Sequence, residues 1–184
     1  NPLTEPMISP VSPQQRMFCN EYARNIIEGT HAKFEYDYHG RLFEWGEPPV
    51  DQIEHLIENL KSSPVSRRSV AITWNPHLDP PRVDVPCLQL VQCVIVNGKL
   101  NMSVVFRSND MLSALGANMY GFARLQEWIA GRVGVPVGAY THHSVVPHVY
   151  YRRDKHPFLV DMCSGCNMSP LPMICEECQG CDRK

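Results

Sequence analysis

Asn97-Gly98 lies between two apolar runs, and this pair constrains the chain more than any other. Asn-Gly is the commonest tight hairpin pair, because both central residues of a type I′ turn need positive φ. The stretch from Val85 to Asp110, "VPCLQLVQCVIVNGKLNMSVVFRSND", is therefore expected to fold as two antiparallel strands buried in a core. The hairpin opens with Cys87 after a proline and closes with the cluster Arg107-Ser108-Asn109-Asp110. Antiparallel pairing brings those two ends toward each other. A free Cys is most often a small buried hydrophobe. Beside a cation, however, a thiol ionises more readily and becomes a nucleophile.

Hydrophobic periodicity places the other elements around this hairpin. "QQRMFCNEYARNIIEG" spaces Met17, Phe18, Tyr22, Ile26 and Ile27 as a helix that Gly29 ends. "KFEYDYHGRLFEWG" alternates aromatic and polar residues and reads as a strand or an irregular aromatic segment. "DQIEHLIENLKSS" is a helix capped by Asp51, with Ile53, Leu56, Ile57 and Leu60 as its apolar stripe and Pro64 beyond its end. "SVAITW" is a short buried strand, and "NPHLDPPRVDVP" is a proline-rich loop. "NMYGFARLQEWIAGRVG" is helical, with Met119, Phe122, Leu125, Trp128 and Ile129 toward the core, and "VPVGAYTHHSVVPHVYYRRD" returns to strand and loop. Residues 1–16 read as an irregular lead-in with four prolines, and no internal repeat is visible. Irregular alternation of helices and strands predicts the α+β class.

Composition limits the function classes. With 43% hydrophobic and 20% charged residues in 184, the chain is long and apolar enough for one domain with a core. A net charge of −2 offers no bulk electrostatic argument for nucleic acid or an anionic membrane as a partner. No apolar run is long enough to span a membrane, and no signal peptide is visible. The first residue is Asn1 rather than Met, so processing or further upstream residues are expected. Of eight Cys, Cys19, Cys87 and Cys93 are scattered, while Cys163, Cys166, Cys175, Cys178 and Cys181 crowd the C-terminal end. That distribution does not suit a secreted disulfide scaffold and points to a cytoplasmic protein.

Three arginines recur in one style. Ser66-Arg67-Arg68-Ser69 sets two guanidinium groups and two hydroxyls before a strand, and Arg107-Ser108 repeats the pairing. Such groups suit a phosphomonoester, although a solvated charge pair is the ordinary alternative.

Together these residues resemble the folate-dependent thymidylate synthases that use a cysteine nucleophile, most closely the archaeal branch. The resemblance rests on "DQIEHLIENLKSSPVSRRSVAITWNP", on Pro86-Cys87, on "FRSND" followed by "ALGAN", and on "PHVYY", in order and with family spacing. It implies a mixed sheet packed with helices and a homodimer formed through the sheet. It further implies reductive methylation of dUMP at C5, with 5,10-methylenetetrahydrofolate or an archaeal pterin equivalent as co-substrate. Cys87 matches the nucleophile whose addition at C6 makes C5 enolate-like. Arg107 and Ser108 match phosphate contacts, while Arg67 and Arg68 match the pair that reaches the phosphate held by the other subunit. Asn118 matches the amide on the pyrimidine O4 and N3 edge, His148 and Tyr150 match contacts to the sugar 3′-hydroxyl, and Asp110 matches a pterin contact. Glu5 is the candidate for the catalytic glutamate on spacing alone.

The departures are specific. Val85-Pro86-Cys87-Leu88 stands where Pro-Pro-Cys-His is usual, Phe106 replaces a Gln, and "HHSVV" replaces Gly-Gly-Asp. An expected phosphate-binding Arg near the N-terminus has no match. The resemblance covers roughly Asp51 to Asp154, and more loosely the residues before it; residues 1–160 are taken as the catalytic domain, and the resemblance says nothing of the Cys-rich tail, 161–184. There, C-x2-C pairs at Cys163/Cys166 and Cys175/Cys178 suit one structural zinc, with Cys181 spare. An iron–sulfur cluster or a metal-free tail are the alternatives. Two other activities remain open: a pyrimidine-nucleotide C5 hydroxymethylase, and a non-catalytic nucleotide- or RNA-binding module.

Overall fold

The computed structural model describes residues 13–29 and 37–149. The elements in chain order are α1 (Pro13–Glu28), α2 (Tyr38–Phe43), α3 (Gln52–Ser62), β1 (Val70–Ile72), β2 (Leu88–Val96), β3 (Lys99–Asp110), α4 (Leu115–Val133) and β4 (Val137–His148). They form an α+β fold in which the helices pack on one face of a four-stranded sheet of order β1-β2-β3-β4.

The hairpin forms as expected. β2 and β3 pair antiparallel from Val96↔Lys99 back to Leu88↔Phe106, with a bulge between Leu88 and Leu90. Asn97 at φ 52° and Gly98 at φ 69° make the turn. β1 adds antiparallel to β2, and β4 adds parallel to β3 after the α4 crossover, so the sheet is mixed. Cys93, Met102, Val104 and Phe106 from the hairpin are fully buried beside Phe122, Leu125 and Ile129 of α4 and Ile53, Leu56, Ile57 and Leu60 of α3. On α3, the Asp51 side chain accepts from Glu54 N at 2.7 Å. On α4, Met119 and Trp128 are only half-buried.

The alternating aromatic stretch is a correction. From Tyr38 to Phe43 it is helical, not extended. Asp37 caps the helix by accepting from Gly40 N. Arg41 is then driven inward, where it makes a bidentate pair with Asp79, itself fully buried, and donates to Thr73 O. Burial alone would raise the Asp79 pKa. The Asn75 N–H, the Arg41 guanidinium and the charge of Arg82 outweigh it and hold the carboxyl below its usual range. This pair ties α2 to the proline-rich loop that leads into Cys87.

α1 crosses α4 closely at Gly121. A Cβ there would lie 2.7 Å from Ile26 Cδ1 and 3.0 Å from Tyr22 Cδ1. The missing side chain lets Tyr22 approach the first turn of α4.

Candidate active site

Cys87 sits at the end of the proline-rich loop, one residue before β2, and is half-buried. Across the hairpin, Arg107 N donates to Cys87 O at 2.8 Å. The Arg107 guanidinium folds back over the same loop, donating from Nε to Pro86 O and from an Nη to Val85 O, both at 3.0 Å. The two ends of the hairpin therefore meet, with the Arg107 cation over the loop that carries the Cys87 thiol.

They open onto a cavity of about 960 Å³ at the ends of β3 and β4, roofed by α1 and the start of α4. Cys87, Arg107, Ser108, Asp110, Asn118 and His148 all line it. Ser108 Oγ and His148 Nδ1 lie 3.2 Å apart, and His148 is nearly buried. The Asp110 carboxylate accepts from Leu112 N and Ser113 N, both at 3.1 Å, and so turns the chain from β3 into α4. Asn118, in the first turn of α4, accepts from the Tyr22 hydroxyl at 2.6 Å and donates to Asn109 Oδ1 at 3.2 Å. Asn109 in turn donates from Nδ2 toward His142 Nε2 at 2.9 Å and Ser144 Oγ at 3.2 Å.

Arg67 and Arg68 are not brought to this cavity. Both are exposed at the entry to β1, where Arg67 O accepts from Gln92 Nε2. Glu5, Tyr150, Cys163, Cys166, Cys175 and Cys178 lie outside the described residues. Among the described residues, no group of three or more His, Cys, Asp or Glu side chains could hold a metal, and no helix is long and apolar enough to cross a membrane.

Sequence reasoning missed four participants. Tyr38 lines the cavity and its hydroxyl accepts from Leu88 N at 3.3 Å, but its only signal was an aromatic alternation. Tyr22 was legible merely as part of an apolar stripe. Asn109 sat inside "FRSND" without a role, and His142 stood only as a departure in "HHSVV".

A thiol, a guanidinium, a hydroxyl, a buried amide and a carboxylate around one cavity can bind a phosphorylated pyrimidine and attack its ring. Residues 16–159 match the thymidylate synthase family model. The chain belongs to the thymidylate synthase family. Curated proteins named "Putative thymidylate synthase" are similar to it. That of Methanocaldococcus jannaschii is 49% identical over 141 residues, covering 73% of this chain and 64% of the relative. That of Methanosarcina acetivorans is 47% identical over 131 residues, covering 71% and 60%. This chain thus spans less than two thirds of those relatives' length. Among solved structures, thermostable thymidylate synthase A from Bacillus subtilis aligns with a TM-score of 0.58 and 30% identity, over 70% of this chain and 51% of its own. The mixed sheet with its helical layer is the thymidylate synthase fold.

Proposed function

We propose that this thymidylate synthase family member methylates dUMP at C5, taking carbon and reducing equivalents from 5,10-methylenetetrahydrofolate or an archaeal pterin equivalent. The observation that carries the proposal is the convergence of Cys87, Arg107 and Asn118 on one cavity. Cys87 adds to C6 and makes C5 nucleophilic. Arg107 and Ser108 hold the phosphate, and His148, with Tyr150, addresses the sugar hydroxyl. Asn118 spends one lone pair on Tyr22 and one N–H on Asn109. The lone pair and N–H that remain suit the N3–H and C4 carbonyl of uracil. Asp110 faces the pterin, and Glu5 is the proposed proton-handling carboxylate.

The charge of the cavity supports a homodimer. Glu21, Asp37, Asp84 and Asp110 line it against the one guanidinium, Arg107, found among its described lining residues. A phosphate dianion needs more positive charge than that, and Arg67 and Arg68 of a second subunit would supply it. The sheet face away from the helices offers the contact. Ile72, Leu90 and Val105 lie side by side on it by register, and Ile72 and Val145 are among the exposed apolar residues. The C-x2-C pairs of the separate tail, 161–184, are proposed to hold one zinc, which elemental analysis of untagged protein decides.

Incubation of purified protein with dUMP and methylenetetrahydrofolate, followed by mass analysis, tests the activity. A product heavier by CH2, a methyl group in place of the C5 hydrogen, supports the proposal. A hydroxymethyl product assigns the hydroxymethylase instead, and nucleotide that stays bound but unchanged with the folate and with the archaeal pterin equivalent alike assigns a binding module.

A further inference from the structure

Asn118 can read uracil only while its amide keeps one orientation. Uracil presents an N3–H donor beside a C4 carbonyl acceptor, whereas cytosine presents a bare N3 beside an amino group. A half-turn of the amide exchanges Oδ1 and Nδ2, and the exchanged edge complements cytosine. The chemistry of the residue is therefore insufficient; something must hold the amide.

The Tyr22 hydroxyl touches Asn118 Oδ1 at 2.6 Å, but a hydroxyl donates or accepts equally well and cannot choose. The other contact, Asn118 Nδ2 to Asn109 Oδ1, depends on the orientation of a second buried amide. Asn109 directs its Nδ2 at His142 Nε2, 2.9 Å away, and at the adaptable hydroxyl of Ser144. His142 is stacked on buried Phe106 with centroids 4.7 Å apart, and its Nδ1 lies 3.0 Å from the Tyr140 hydroxyl. With the proton on Nδ1, Nε2 is a pure acceptor. It then demands an N–H from Asn109, which turns Asn109 Oδ1 toward Asn118 and Asn118 Nδ2 toward Asn109.

We propose that His142 is a positioning residue for base recognition: its Nε2 lone pair, relayed through Asn109, locks the Asn118 amide in the orientation that accepts uracil and rejects cytosine. The inference rests on the dUMP reading of the cavity and deepens it. The ring environment agrees with the role. Burial, with the charge of His143 second, lowers the His142 pKa to about 4, so the ring is a neutral acceptor near pH 7.

The test measures dUMP and dCMP affinities by calorimetry for the wild type, His142→Phe and Tyr140→Phe, alongside ¹⁵N NMR of the His142 ring in the wild type. His142→Phe keeps an aromatic ring on Phe106 and removes the acceptor. Its dUMP-to-dCMP affinity ratio should fall roughly tenfold or more, as expected when a buried polar edge is no longer held in register. Tyr140→Phe removes a hydroxyl that can serve either tautomer, so it should leave the ratio within a few-fold of the wild type. The NMR spectrum should show an unprotonated Nε2 and a protonated Nδ1, a result that does not depend on any variant folding. A folded His142→Phe that binds dUMP with the wild-type ratio, or a wild-type ring protonated on Nε2, overturns the relay while leaving the dUMP reading in place. A wild type that binds neither nucleotide overturns that reading and this inference with it.

Discussion

Cys87 and Cys93 are six positions apart in sequence and opposite in chemistry. Cys93 is fully buried among Val91, Met102 and α4, and burial pushes its thiol up to about 12. Cys87 opens onto the cavity beside Arg107. Brief treatment with iodoacetamide, followed by peptide mapping, should alkylate Cys87 and spare Cys93, and bound dUMP should protect Cys87. Cys87→Ser should abolish turnover but retain dUMP affinity within a few-fold, because a hydroxyl fills the space and adds poorly to C6. Wild-type turnover by the variant would rule out the thiol as nucleophile. His142 makes a pH statement. Its folded pKa of about 4 lies below the ordinary 6.5, so the unfolded chain binds more protons between those values. Its contribution to stability is intact above about pH 6.5 and is lost as pH falls toward 4. The drop in Tm across that window should be smaller in His142→Phe than in the wild type.

At the scale of elements, α2 depends on a partner far along the chain. Arg41 and Asp79 are both buried, so removing one leaves an uncompensated charge inside the protein. Asp79→Ala should cost about 3–5 kcal/mol in denaturant unfolding. Because Asp79 also accepts from Asn75 N, the loop before Cys87 should loosen as well. Gly121 makes the same point between two helices. Alanine there gains about 1 kcal/mol of helix propensity, yet its Cβ would meet Ile26 and the Tyr22 ring. Overpacking typically costs about 1–3 kcal/mol, so the clash should win by a small margin. The sharper consequence is displacement of the Tyr22 hydroxyl from Asn118. Gly121→Ala should lower Tm slightly and dUMP affinity more; unchanged affinity would separate the helix crossing from base recognition.

At the scale of the whole molecule, the proposed dUMP phosphate calls for positive charge beyond Arg107. Within one subunit, Arg67 and Arg68 are exposed and stand away from the Cys87 cavity. If they complete the cavity of a second subunit, Arg67→Ala and Cys87→Ser chains, each inactive alone, should regain partial activity when unfolded together and refolded as a mixture. Activity no greater than the sum of the separate proteins would place both residues in the same subunit's chemistry. Sedimentation of the wild type should show a dimer, and Val105→Glu on the outer sheet face should shift it toward monomer.

Local pattern was enough to read much of this protein from its residues. The hairpin turn follows from the positive-φ tolerance of Asn97-Gly98, and α3 follows from the Asp51 cap with a four-residue stripe spaced at one helical face. The meeting of Cys87 with Arg107 follows from antiparallel pairing, since a hairpin must bring its two open ends together. Other features could not be read that way. The residues from Tyr38 to Phe43 alternate like a strand, yet they are helical because Arg41 finds Asp79 across 38 positions. Tyr22 reaches Asn118 only because Gly121 admits α1, and His142 reaches Asn109 only because β4 lies parallel to β3 in the observed register. Periodicity and capping are settled within a few residues by backbone sterics. A buried ion pair, a helix crossing or an amide relay exists only when distant segments are packed together, and that is decided by the tertiary structure alone.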